Sequence, residues 1–113
     1  MRKGLTVRWS LAAAGDGVDE TLAAYVADTA HARFTGMAGL QFATWRTVPG
    51  EWFEASYVFI SDEARSEFQT SFAPGAAESR VSQIVGSSPS LIEPCAVVAI
   101  AEGWDGFTAA PRA

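Results

Sequence analysis

Two runs rich in aromatic and β-branched residues, Leu40 to Thr47 and Trp52 to Ile60, flank the segment Val48-Pro49-Gly50-Glu51. Proline followed by glycine presets a tight turn, so the two runs predict a β-hairpin. If Val48 and Glu51 flank the turn, Phe42 faces Tyr57, Leu40 faces Phe59 and Arg46 faces Phe53. One face of the hairpin is then almost wholly aromatic and aliphatic. The other carries Gln41, Ala43, Trp45 and Thr47 beside Trp52, Glu54, Ser56 and Val58. Pro-Gly favours a type II turn, which suits two-residue hairpins poorly, so a longer loop stays open as the alternative.

The other elements fall around this hairpin. Leu5, Val7, Trp9 and Leu11 alternate with Thr6, Arg8 and Ser10, the period of a half-buried strand. Gly15-Asp16-Gly17 then offers Asp16 as an N-cap, with Asp19 and Glu20 in the first turn of a helix from about Val18 to Arg33 that stops near Gly36. At about 100° per residue His31 lies opposite Leu22 and faces solvent unless the last turn is distorted. Ser61-Asp62-Glu63 starts a second helix with Ala64, Phe68 and Phe72 as its buried stripe. A short third helix fits Ala76 to Val85. The run from Leu91 to Ala101 is β-like but holds Pro94, which a sheet tolerates only at an edge or a bulge.

The order β-α-β-β-α-(α)-β is that of an α+β ferredoxin-like sandwich, a four-stranded antiparallel sheet with helices on one face and spatial strand order 4-1-3-2. The last strand is then an edge, as Pro94 requires. In this register Trp45 and Trp52 lie on the helix-free face, and two exposed tryptophans there argue for a second copy, a homodimer packed through that face.

A chain of 113 residues makes one domain, here residues 1–103, followed by a tail, 104–113, whose Trp104 and Phe107 suggest a flap over a partner subunit or a pocket mouth. A net charge of −5 is the wrong sign for nucleic acid or an anionic membrane surface. No apolar run approaches the roughly 18 residues of a membrane span. One cysteine and one histidine provide neither a disulfide nor a structural zinc site, so the expected protein is cytoplasmic, colourless and free of metal and cofactor. Cys95 reads as a small buried hydrophobe.

Gly39-Leu40-Gln41-Phe42-Ala43-Thr44-Trp45 and Ser56-Tyr57-Val58-Phe59-Ile60-Ser61-Asp62-Glu63-Ala64 carry a family likeness. Over about residues 4 to 103 the chain resembles the dimeric α/β-barrel superfamily, in the branch of the YdhR-like proteins and the antibiotic-biosynthesis monooxygenases. A basic residue common there two positions before the tryptophan is Ala43 in this chain. The resemblance implies a homodimeric barrel and a cofactor-independent monooxygenase, an oxidoreductase acting on an aromatic or polyketide-like compound.

The pocket expected for such chemistry lies between the first helix and the sheet. Trp9, Phe42, Arg46 and Phe59 are its candidate substrate-binding residues, and Tyr57 and Arg33 its candidate catalytic ones, the arginines meeting an anionic or phenolate edge. Plain core packing of the aromatics is the competing reading, as is a helix-terminal dipole role for Arg33. A non-catalytic dimeric barrel that binds a small apolar or aromatic ligand, or serves in stress, is the alternative function.

Overall fold

The computed structural model describes residues 2–107. Its elements are β1 (Gly4–Ser10), α1 (Val18–Tyr25), a π-helical turn (Val26–Ala30), α2 (His31–Phe34), β2 (Leu40–Val48), β3 (Trp52–Phe59), α3 (Asp62–Phe72), a 3-10 segment (Ala73–Glu78), α4 (Arg80–Val85) and β4 (Leu91–Cys95). The strands form one antiparallel sheet in the order β2-β3-β1-β4, the ferredoxin-like arrangement. Leu5, Val7, Trp9 and Leu11 are buried together, with Leu22, Phe34, Phe53, Tyr57, Phe59 and Val81 around them. Ser61 caps α3 as its position predicts, its hydroxyl accepting from the Ala64 amide at 3.0 Å. No helix among the described residues is long and apolar enough to cross a membrane.

The hairpin register differs from the expected one by a single residue. The Glu51 amide donates to the Val48 carbonyl at 2.9 Å, and Gly50 has φ +78°, so Val48 to Glu51 is the type II turn that Pro-Gly favours. A type II turn does not match the right-handed twist of strands joined by two residues, and pairing begins one residue later, Val48 with Trp52. Ala43 now faces Tyr57, Trp45 faces Ala55 and Arg46 faces Glu54. Because side chains alternate, one residue of slip turns the whole strand over. Trp45 goes to the helix side, while Phe42 and Arg46 go to the helix-free side. A bulge between Leu40 and Phe42 then restores Leu40 to its expected partner Phe59.

The dimeric α/β barrel is overturned. The sheet is open, ending in β2 on one side and β4 on the other. The argument for a second copy also loses its ground, since Trp45 is not on the helix-free face, and Trp52 there lies under the Arg8 guanidinium, 4.3 Å from its ring centre. The same face carries Glu54, buried between Arg8 and Arg46.

Several local expectations also change. Gly17, with φ +79°, takes the N-cap of α1, and Asp16 makes no cap. The third helix shortens to α4 behind the 3-10 segment. β4 stops at Cys95 because its partner β1 begins at Gly4, the residue opposite Cys95. Cys95 is exposed, not buried. Beyond it the chain passes Gly4, against which Val97 lies, and ends the described region with Phe107 stacked on Phe42, ring centres 5.8 Å apart. Residues 108–113 of the expected tail lie outside the described residues.

The turn can be tested without disturbing the core. A Cβ on Gly50 meets no atom within 4 Å, so Gly50→Ala carries only the left-handed backbone penalty. It should lower stability by about 1 kcal/mol in urea unfolding. Gly75→Ala, in equally open space without a positive φ, should be neutral or slightly stabilising.

Candidate functional site

A cleft of about 680 Å³ opens between the α1–α2 layer and the edge strand β2 and reaches round that edge to Phe42 and Arg46 on the helix-free side. Its volume falls within the range usual for small-molecule sites. β2 is an edge strand, and its residues Leu40 to Thr47 form the floor. Leu22, Val26 and Phe34 wall it from the helix side, and Phe107 lines it from the helix-free side, where it stacks on Phe42. The packing of Phe34 explains why the wall is firm. Its ring meets Trp45 edge-on at 5.7 Å and lies 5.2 Å from Tyr57 and 5.9 Å from Phe68.

His31 belongs to this cleft although a regular helix would point it to solvent. The Val26–Ala30 turn bonds i to i+5, one residue more per turn, and one extra residue rotates everything after it by about 100°. His31 is consequently partly buried on the cleft side. Asp19, in the first turn of α1, is also among its lining residues. Its Oδ1 is buried and has no hydrogen-bond partner. A buried acceptor left unpaired costs about 1–3 kcal/mol, more when charged.

The six residues expected to form one site are divided. Trp9, Tyr57 and Arg33 line a smaller adjoining cavity of about 150 Å³ between the helices and the sheet, which shares Phe34, Trp45 and Phe53 with the cleft. Phe42 and Arg46 line the large cleft, and Phe59 is fully buried in the core. Trp9 is anchored there structurally: its indole N–H donates to Ser82 Oγ at 2.9 Å, and that hydroxyl donates to the Ala76 carbonyl at 2.6 Å. Burial drives the Tyr57 phenol pKa far up, with Tyr25 adding to the effect and Arg33 opposing it, so the group stays a neutral phenol. Arg33 is exposed, its guanidinium 5.0 Å from the Phe34 ring centre.

Arg46 is engaged on the helix-free face. It donates to Glu54 Oε1, while Arg8 Nε donates to Oε2 at 2.9 Å and the Ser56 hydroxyl to Oε1 at 3.3 Å. Burial alone would raise the Glu54 pKa, but the hydrogen bonds and charges of Arg46 and Arg8 outweigh it and hold the carboxyl below its ordinary value. The cluster thus ties β1, β2 and β3 together across the sheet.

The residues missed by sequence reasoning are Asp19, Leu22, His31, Phe34 and Trp45. The two misleading assumptions were an unbroken α-helix and a two-residue hairpin loop. The Pro-Gly turn type was the available signal for Trp45, and no local sequence pattern marks the π turn.

No family model and no curated protein matches this chain. Together with the open sheet, this overturns the resemblance to the YdhR-like and antibiotic-biosynthesis branch. The monooxygenase and oxidoreductase assignments came with that resemblance and are withdrawn with it.

Glu54 gives a pH test. A carboxyl whose folded pKa is depressed adds stability above its unfolded pKa and loses it as pH falls through the folded value. The wild type should therefore weaken progressively below about pH 4.5, the ordinary carboxyl value. Glu54→Gln should cost on the order of 2 kcal/mol at pH 7 and show a shallower acid loss in urea unfolding.

Proposed function

We propose that this protein binds a small, largely aromatic molecule in the cleft between α1–α2 and β2, without transforming it. The observation that carries this reading is the cleft itself, about 680 Å³ with Leu22, Val26, Phe34, Phe42, Trp45 and Phe107 around it. An apolar concavity with a few polar groups at its margins is the usual composition of a small-molecule site. Flat rings suit it because its lining is aromatic on both sides of the β2 edge, Phe34 and Trp45 on the helix side and Phe42 with Phe107 on the other. The binding reading is preferred to a catalytic one because Tyr57 is a neutral phenol buried in the core behind Phe34 and does not line the cleft. A reducing, cytosolic setting belongs to the same reading, supported by the single cysteine, Cys95, exposed as a free thiol.

Anthrone and 2-naphthol are suitable first probes. Either should quench tryptophan fluorescence saturably, through Trp45 on the cleft floor. Ala23→Trp places a bulky ring at the mouth from an exposed helix position and should weaken binding at least tenfold while leaving thermal unfolding unchanged. Absence of saturable quenching by every aromatic probe would refute binding. Oxygen uptake during anthrone turnover would refute the non-catalytic part.

A further inference from the structure

We infer that the smaller cavity is a second binding site, one that takes a small monocarboxylate, with Tyr57 and Arg33 holding the carboxylate group; the inference does not depend on what the cleft holds. The cavity measures about 150 Å³. A space of roughly that size admits a molecule as large as benzene, which sets the scale of the occupant. Tyr57 reaches the cavity from β3 with 6% of its surface exposed. Burial and nearby charges act on its phenol, but no hydrogen bond from the described residues does. Asp19 Oδ1 is the polar side-chain atom among the described residues that is both unpaired and sealed, so the Tyr57 oxygen, unpaired too, is not sealed and opens on the cavity its ring lines. Polar groups this deep are almost always paired, and the exception here faces space that an acceptor can enter. Held neutral by burial, the phenol keeps its proton and donates.

The charge of the acceptor follows from the rest of the lining, which contains no Asp, Glu or His. Its charged members are Arg33 and Arg80, both exposed at the rim. The ion pairs among the described residues join Arg8 and Arg46 to Glu54, and Arg65 to Asp62, so neither rim arginine belongs to one. Arg33 is close enough to the Tyr57 phenol to oppose the rise of its pKa, so a group accepting from that hydroxyl also lies in the field of the Arg33 guanidinium. Other donors of the wall are already engaged, the Trp9 indole N–H with Ser82 Oγ at 2.9 Å and the Ser79 hydroxyl with the same oxygen at 3.1 Å. What the cavity offers is therefore a free hydroxyl donor and unmatched positive charge. A carboxylate answers both, and its bonds are roughly twice as strong as those of a neutral acceptor. Phe68, Phe72 and Val81 form an apolar part of the wall, which favours a hydrocarbon body behind the carboxylate over a fully hydrated inorganic anion.

Butyrate, butyramide, butylamine and inorganic phosphate separate these terms, and none of them carries a ring for the aromatic cleft. Each is titrated into the full chain in Bis-Tris buffer at pH 7 and followed by heteronuclear NMR. Butyrate should shift the Tyr57 and Arg33 resonances saturably and bind at least about tenfold more tightly than the other three. Tyr57→Phe removes an oxygen that pairs with nothing in the free protein, so it should weaken butyrate at least about fivefold without lowering the thermal midpoint. Arg33→Gln, at an exposed position, should abolish the preference for butyrate over butyramide. Ala23→Trp, which obstructs the cleft, should leave butyrate binding unchanged. Absence of a saturable butyrate shift, equal binding of butyramide, tightest binding of butylamine or phosphate, or a butyrate preference that survives Arg33→Gln would overturn the inference. Loss of butyrate binding in Ala23→Trp would place the carboxylate in the cleft and overturn it as well, and none of these outcomes bears on whether the cleft binds aromatic molecules.

Discussion

The type II turn at Val48 to Glu51 is the constraint on which the rest of this sheet depends. Gly50 at positive φ closes the turn and leaves Glu51 as a third loop residue, so pairing resumes at Trp52. Every side chain of β2 from Phe42 to Val48 takes its face from that one count. Trp45 arrives under Phe34, where it becomes the aromatic floor of the cleft. Arg46 arrives beside Glu54, where it completes the charged cluster. A two-residue loop would have sent Trp45 to solvent and Arg46 into the core.

The charged cluster explains why the helix-free face does not behave as an unfinished core. Glu54 sits at the centre of that face with both oxygens engaged, and Arg8 covers Trp52 while paired to it. Burying such a cluster under an apolar surface would cost the hydration of the two arginines, whose side chains remain 38% and 58% exposed. At the other end of the same face, Phe107 covers Phe42 from within the chain. The face is therefore satisfied partly by charge and partly by the chain's own later residues.

Topology was legible because it rests on periodicity and punctuation. The alternation from Leu5, the Ser61 cap and the Pro94 edge each depend on residues close in sequence, and each constrains an element's type or place. Face assignments were less legible, since they depend on phase, which one inserted residue resets. That happened twice, at the three-residue hairpin loop and at the π turn, and the cleft residues Trp45 and His31 lie just beside these two points. The end of β4 was illegible for another reason: Val97, Val98 and Ile100 have β propensity, but the pairing of β4 with β1 ends where Cys95 faces Gly4. Pairing length is a property of the partner strand.

The cleft itself follows from an uneven match between layers. α1 packs against α4, and α3 packs against β3 and β1, so the helical layer is centred on the inner strands. Trp9 reinforces that centring, because its bond to Ser82 fastens α4 over β1. β2, at the sheet margin, is left with Phe34 as its main cover, reaching Trp45 from the end of α2. Filling the remaining space with larger side chains at Ala23 and Ala43 would be the direct way to finish the core, yet both positions hold alanine beside large aromatics. The space is left walled mainly by apolar side chains, so an occupant that is apolar along its body fills it at the least desolvation cost.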